Sequence, residues 1–323
     1  MSKKGILVTG GTGLVGAYAV GMLLDRGERP VVFDVALNER LLSAVGVNPS
    51  AVTLIRGDML DLPAIITALR DHDCDRIIHL AAFLGEEVQR RPYSGVRLNF
   101  MGTINVLEAA RLEKVSRVIF PSSGTVYLGS LGEGFARIDE SIPMNPPSVY
   151  AATKASCEFM GRAYAKRYGF EFICLRYTGG LYGPSPAALK ATREIAIQQM
   201  IRAAVKGDTA KINWPYGPAE ILYGKDAAKG TVLAVLKDKF KDTLFHIGNG
   251  DTLSGDDIVS AVRKVFPGSD IELIKGSNPM PYPESRLASD FSRAKDQLDY
   301  EPEYTIEKAI ADYGATLKRL ENI

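Results

Sequence analysis

Short apolar runs and longer amphipathic stretches alternate along the first 180 residues. Gly5-Ile-Leu-Val-Thr9, Pro30-Val-Val-Phe-Asp34 and the segments 52–56, 76–80, 117–120 and 170–175 are four to six residues each, rich in Val, Ile, Leu and Phe. Runs of that length with little polar alternation read as strands buried on both faces of a parallel sheet. Residues 14–26, 99–112 and 150–168 have helical spacing instead; the first stops at Gly27 and the last at Gly169. This order predicts an α/β fold with a doubly wound parallel sheet. Beyond about residue 180 the alternation loosens. Helices are expected near 194–206 and 254–266, strands near 244–247 and 271–274, and a closing helix from Ile306. Pro279-Met-Pro-Tyr-Pro283 reads as a loop, because its prolines remove backbone donors.

Charge and composition narrow the function classes. A net charge of +1 with scattered basic residues gives no field for nucleic acid or an anionic membrane. Apolar residues at 46% and charged residues at 24% suit a globular enzyme-sized chain of 323 residues. Cys74, Cys157 and Cys174 have no metal spacing and are expected as reduced thiols. Met1-Ser-Lys-Lys4 runs directly into a strand, and no apolar run reaches the roughly 18 residues of a membrane span. Cytoplasm is the expected compartment, and no metal is expected.

Thr9-Gly-Gly-Thr-Gly-Leu-Val-Gly16 places Gly10, Gly13 and Gly16 between the first strand and the first helix, with Leu14 opening that helix. Glycines there allow a tight turn and let the backbone approach a pyrophosphate, which the helix N-terminus then meets with free N–H groups. Asp34 ends the second strand, 18 residues after Gly16. A carboxylate at that place binds ribose hydroxyls and repels a 2′-phosphate, favouring NAD over NADP. Arg40 is near enough in sequence to keep NADP open. Asp58 and Met59, after the third strand, fit an adenine contact, and an Asp before a helix fits a cap as well.

Tyr150 and Lys154 are four residues apart and share one helix face. An adjacent ammonium favours the phenolate and draws a tyrosine pKa from about 10 toward neutrality, which makes a general base. Oxidation of a secondary alcohol needs that base and a hydride acceptor, and nicotinamide is the acceptor. Ser123 fits a group that polarises the developing carbonyl and fits a turn serine equally. His72, His79 and His246 are expected to be structural, and Trp214 to pack on the core or to line a substrate wall.

The glycine loop, Gly57-Asp58, His79-Leu-Ala-Ala82, Asn99 with Gly102-Thr-Ile-Asn-Val-Leu-Glu-Ala-Ala110, Pro121-Ser-Ser-Gly-Thr-Val-Tyr127, the Tyr150/Lys154 pair, Ser289-Asp-Phe-Ser-Arg-Ala-Lys295 and Tyr300-Glu-Pro302 together resemble an extended short-chain dehydrogenase/reductase. The resemblance covers nearly the whole chain. It implies a Rossmann domain over residues 1–178 that binds NAD, and a smaller mixed α/β C-terminal substrate region over 179–323, the chain re-entering the first domain around 210–250. It implies Tyr150 as acid/base, Lys154 on the ribose, Ser123 on the substrate oxygen, and Thr125 as a second hydroxyl beside it. Asn99 would order a water or backbone contact behind Lys154, and Ala81 and Ala82 would keep the cofactor path low. Phe83, Thr178, Trp214 and Arg286 are the expected substrate contacts. A homodimer through helices 99–112 and 150–168 is implied as well.

Departures from the family bear on the reaction. Dehydratases carry an acidic pair after the hydroxyl position, whereas here the segment is Ser123-Gly-Thr-Val-Tyr127. Nucleotide-sugar epimerases carry an Asn after the Arg-Tyr of the sixth strand, where this chain has Arg176-Tyr-Thr-Gly-Gly180. They also carry a phosphate-pairing Arg seven residues before an Asp, a place held here by Ala219. Arg202, Lys211 and Arg286 are candidate replacements. Arg176-Tyr-Thr-Gly179 and Ala81-Ala-Phe-Leu84 are similar to short-chain L-threonine dehydrogenases, and other segments to UDP-galactose 4-epimerases. The expectation is therefore an NAD-dependent oxidation of a small polar secondary alcohol on a sugar, sugar acid or hydroxy/amino acid. The alternatives are an epimerase with tightly bound NAD and a catalytically inactive NAD-binding regulatory protein.

Overall fold

The computed structural model describes residues 3–131, 135–186, 195–214, 217–274, 276 and 287–322. Its strands are β1 Gly5–Thr9, β2 Arg29–Asp34, β3 Thr53–Arg56, β4 Cys74–His79, β5 Arg117–Ser123, β6 Glu171–Tyr177, β7 Gly180–Tyr182, β8 Ala210–Asn213, β9 Ile221–Tyr223, β10 Leu244–Ile247 and β11 Ile271–Ile274. Its helices are α1 Leu14–Asp25, α2 Glu39–Ala44, α3 Leu62–Asp71, α4 Gly85–Arg90, α5 Pro92–Val96, α6 Gly102–Leu112, α7 Val149–Tyr168, α8 Ala196–Lys206, α9 Gly224–Leu236, α10 Gly255–Val265, α11 Ser292–Leu298 and α12 Ile306–Glu321. No helix among the described residues is long and apolar enough to cross a membrane.

A seven-stranded sheet runs in the order β10-β6-β5-β4-β1-β2-β3, parallel throughout. Its strands alternate sides with a period of two. Ile6, Val8, Val32, Ile78, Ile119, Ile173 and Leu175 point into one core, with Ala17 and Leu23 of α1 and Val232 of α9. Leu7, Val31, Phe33, Ile77, Val118, Phe120 and Phe172 point into the other, with Leu69 of α3 and Leu107 of α6. The chain builds outward from β1 to β3, then returns and builds from β4 to β10. The carboxyl ends of β1 and β4 therefore open a crevice where the strand order reverses.

The expected sheet and first-half helices are present, and the strands at 244–247 and 271–274 fall within their expected bounds. One helix differs. The segment expected as a continuous helix over 99–112 begins as a π-helical turn, Arg97–Met101, before α6. Thr103 Oγ1 donates to the carbonyl of Asn99 at 2.6 Å, and the Asn99 side chain is tied to Phe83, so the turn opens around Asn99. The pair β8/β11, with α8, α10 and α12, forms a smaller layer beyond the main sheet. The 279–283 loop and Arg286 lie outside the described residues.

A buried polar network fixes α7 to the sheet. Glu158 Oε1 accepts from Arg176 Nε at 2.9 Å and from Ser122 Oγ at 2.6 Å, and its Oε2 accepts from Arg176 Nη2 at 2.6 Å. Burial raises the Glu158 carboxyl, but Arg176 and Ser122 together bring it below the ordinary carboxylate value. Removing Glu158 leaves the buried Arg176 charge without a counter-ion, and removing Arg176 leaves Glu158 only the longer pair with the partly exposed Arg162 at 3.4 Å; breaking a buried pair costs about 3–5 kcal/mol. Arg176 also donates to the hydroxyl of Tyr127, which pairs with His246 Nε2 at 2.8 Å, while His246 Nδ1 meets the carbonyl of Asp290 at 3.1 Å. A carbonyl only accepts, so Nδ1 carries the proton and neutral His246 accepts from Tyr127.

Burial, and then the nearby Arg176 charge, lower the His246 pKa to about 4. An unfolded chain protonates this histidine near 6.5, so its contribution to stability is complete above that pH and is lost as pH falls toward 4. Urea melts of wild type and His246→Gln between these values should show the wild type losing up to about 1.4 kcal/mol more per pH unit. Identical pH dependence in the two proteins would remove His246 from this account.

Candidate active site

The glycine loop leaves β1 and enters α1 within hydrogen-bond reach of β2. Gly10 has φ +67°, and its N–H bonds to the carbonyl of Phe33 at 2.9 Å. A Cβ on Gly16 would stand 2.2 Å from the carbonyl oxygen of Gly10, so only glycine lets α1 start this close to the loop. α1 has no side-chain cap and no acidic residue in its first turn. Its first N–H groups and positive dipole end are thus available to an anion. Asp34 Oδ2 accepts from Thr12 N–H at 3.2 Å and Thr12 Oγ1 at 2.8 Å, and Oδ1 from Ala36 N–H at 3.2 Å. A carboxylate has about four acceptor sites, so one remains for a ribose hydroxyl. These residues fit a dinucleotide.

Other cofactor candidates separate. Ala81 and Ala82 border the crevice: Ala81 N–H bonds to Thr9 Oγ1 at 3.2 Å, and its backbone lies against Gly10. Met59 is buried under Gly102, and its carbonyl accepts from Asn105 at 2.9 Å. Asp58 is exposed and holds Leu60 N–H at 2.9 Å in a turn, while the cap of α3 is Asp61. Arg40, kept open for NADP, instead donates to the carbonyl of Leu320 on α12.

Tyr150 and Lys154 share the first turns of α7, whose N-cap Ser148 accepts from Ala151 N–H at 3.2 Å. Both are buried. Lys154 Nζ donates to the carbonyl of Pro121 at 2.7 Å and stands 4.8 Å from the Phe120 ring centre and 6.0 Å from that of Tyr150. Pro121 takes one of three ammonium protons. Burial lowers the Lys154 pKa, with Cys157, Cys174 and Glu158 opposing. Ser123 ends β5 and caps the 3-10 turn Gly124–Tyr127, as a turn serine does. Its Oγ accepts from Thr125 N–H at 3.2 Å and from Thr125 Oγ1 at 2.9 Å.

Asn99 is tied to the backbone of Phe83: Oδ1 accepts from Phe83 N–H at 2.8 Å, and Nδ2 donates to the Phe83 carbonyl at 2.9 Å. Phe83 is held beyond β4 in this way, with Arg91 5.5 Å from its ring centre. His79 joins the same structure, between Thr9 Oγ1 at 2.8 Å and Thr103 Oγ1 at 3.1 Å. Burial lowers its pKa to about 3, and the charge of Lys154 helps. It is structural. The three cysteines are free and buried.

In the second half, Thr178 and Ser123 line one small pocket with Gly124, Thr125, Tyr177 and Ile138. Trp214 lies apart from it, packed beside Gly255 at the start of α10. A shallow groove along Glu303, Tyr304, Lys308 and Asp312 includes none of Ser123, Tyr150 and Lys154. Two proposed phosphate partners are engaged elsewhere: Arg202 with Glu321, and Lys211 with Glu272 at 3.0 Å. Position 179 has no room for an Asn, because a Cβ there would stand 2.8 Å from the Ile221 backbone. Sequence reasoning missed Glu158, Glu220 and Ser289. Glu158 was findable as a charge one turn beyond Lys154 on the same helix face.

Comparison with known proteins agrees with this architecture. A UDP-glucose 4-epimerase of Halalkalibacterium halodurans is 28% identical, the match spanning 93% of this chain and 91% of that one. A dTDP-glucose 4,6-dehydratase of Streptomyces antibioticus is 28% identical over 95% of this chain and 90% of the other. The structure of UDP-glucose 4-epimerase from Thermotoga maritima with UDP-glucose superposes with a TM-score of 0.85 at 22% identity, covering 97% of this chain and 98% of that one. The Thermus thermophilus UDP-glucose 4-epimerase complex with NAD gives 0.82 at 24% identity, covering 97% and 99%. The pattern of the NAD dependent epimerase/dehydratase family matches residues 6–248, and this chain belongs to that family.

Proposed function

We propose that this enzyme oxidises a secondary alcohol on a sugar or sugar-derived substrate, with Tyr150 as the general base. The observation that carries the reading is the placement of Tyr150, Lys154 and Ser123 on adjoining ends of α7 and β5, beside the crevice lined by Gly10, Gly16 and Asp34. Bound NAD, the cofactor of the family, supplies the hydride acceptor. With NAD bound, Lys154 would offer its remaining donors to a ribose, and its ammonium beside Tyr150 would favour the phenolate. Tyr150 takes the hydroxyl proton, and Ser123 donates to the oxygen as its carbonyl character grows. Asn99 fixes the backbone of Phe83 just beyond the end of β4.

Two observations bear on the fate of the oxidised sugar. Relatives named as UDP-glucose 4-epimerases favour return of hydride to the other face of the sugar. The Ala219 position, the crowding at Gly179 and the engagement of Arg202 and Lys211 favour release of an oxidised product from a substrate that lacks a nucleotide diphosphate. No carboxylic acid lines the Ser123 pocket among the described residues, so dehydration has no acid there. Net NADH formation with excess NAD marks the dehydrogenase, whereas inversion without NADH marks the epimerase.

Both fates need the same base. Tyr150→Phe should lower turnover by about 10²–10⁴-fold while leaving NAD affinity, read by fluorescence titration, near wild type. Retained turnover would mean that another group takes the proton. Phe159 and Tyr168 on α7, with Met101 at the end of the π-helical turn and Leu112 at the end of α6, are large and exposed. A second copy packed on these helices would cover them. Light scattering should report a dimer, and Phe159→Glu a monomer; a dimer that survives the change would place the interface elsewhere.

A further inference from the structure

The sheet face that carries Asp34 also carries a cation. In the parallel register of β2 and β3, Asp34 is the partner of Arg56. Two positions earlier on each strand, Val32 and Leu54 both pack into the core shared with α1. Partners on adjoining strands face the same way and lie about 4.8 Å apart, so a carboxylate and a guanidinium here are placed to pair. Each is engaged elsewhere. Asp34 Oδ2 accepts from Thr12 N–H at 3.2 Å and from Thr12 Oγ1 at 2.8 Å, and Oδ1 accepts from Ala36 N–H at 3.2 Å. Arg56 turns its Nε to the carbonyl of Val35 at 3.3 Å.

The contest for the Asp34 carboxylate is decided by burial. Thr12 is 1% exposed, whereas Arg56 stands in solvent. An exposed ion pair contributes little, and a hydrogen bond from a buried hydroxyl to a carboxylate contributes more. Thr12 Oγ1 has one proton and two acceptors in reach, Asp34 Oδ2 at 2.8 Å and the carbonyl of Ala36 at 3.1 Å. The charged acceptor is the nearer. Thr12 is also held close to the strand end. Gly10 N–H is bonded to the carbonyl of Phe33 at 2.9 Å, and a Cβ on Gly11 would stand 2.7 Å from the Val32 side chain.

We propose that Thr12 is a positioning residue for cofactor selection: its hydroxyl latches the Asp34 carboxylate toward the dinucleotide ribose and keeps it from pairing with Arg56. Without the latch, Asp34 turns to Arg56. The ribose hydroxyl then loses its acceptor, and a 2′-phosphate meets a neutralised carboxylate in place of a bare one. The proposal rests on the cofactor of the family and is independent of what becomes of the oxidised sugar.

Dissociation constants for NAD and for NADP, measured by calorimetry on the full-length protein, test the latch. Wild type should prefer NAD. Thr12→Val removes the hydroxyl at nearly constant shape and should weaken NAD about ten-fold while NADP binding holds or tightens. Thr12→Ser should keep the wild-type preference. Adding Arg56→Gln to Thr12→Val takes away the competing cation and should return about three-fold or more in NAD affinity. A merely structural role would not move the ratio, because a loosened glycine loop weakens the pyrophosphate contacts that both dinucleotides share. Thr12→Ala gives the same reading should the valine variant not fold. Equal losses for NAD and NADP, an unchanged ratio in both Thr12→Val and Thr12→Ala, a serine variant that loses the preference, or no recovery with Arg56→Gln overturns the proposal. So does a wild type with no preference for NAD.

Discussion

Glu158 and Arg176 meet where water is excluded, and the elements that carry Tyr150, Lys154 and Ser123 meet with them. Glu158 is on α7, one turn beyond Lys154 and two beyond Tyr150. Arg176 is on β6, and Ser122, which donates to the same carboxylate, immediately precedes Ser123. Charges this deep demand a partner, so the helix and strand ends have little freedom to slide. The relative placement of Tyr150, Lys154 and Ser123 is a consequence of that pairing as much as of the residues themselves. Tyr127 and His246 extend the constraint to β10 and the chain near Asp290.

Much of the first half was legible because its signals are local. A run such as Ile6-Leu-Val8 can only be buried on both faces, and the glycines after Thr9 have no better use than a tight strand–helix turn. The i, i+4 spacing of Tyr150 and Lys154 sets their common face without any tertiary information. Asp34 was readable as a strand-end carboxylate, but its hold on Thr12 was not, because that bond joins a strand end to a loop 22 positions away.

The unreadable parts depend on distant packing. Glu220 sits before an apolar strand and gathers donors from residues 249, 250 and 289; nothing in its neighbours announces them. The π-helical turn at Asn99 accompanies a side-chain bond to Phe83, sixteen positions away, which the local spacing does not announce. Arg40 and Arg202 seemed available by sequence distance, yet each is drawn to the end of α12. Cations are easily placed on a sequence and are poorly placed in space by it.

Family membership defines a cofactor and a carbinol carbon more sharply than it defines a substrate. The claim at the centre is that the α7–β5–β6 junction is preorganised: the buried ion pair presents Tyr150, Lys154 and Ser123 before anything binds. A crystal structure of the protein with NAD, set beside one without it, tests this most directly. The account predicts that the pyrophosphate lies over Gly10–Gly16, that a ribose reaches Lys154, and that α7 and Ser123 keep their places to within about 1 Å, with Glu158 and Arg176 still paired. A shifted α7, or an ion pair that opens when the cofactor enters, would contradict it.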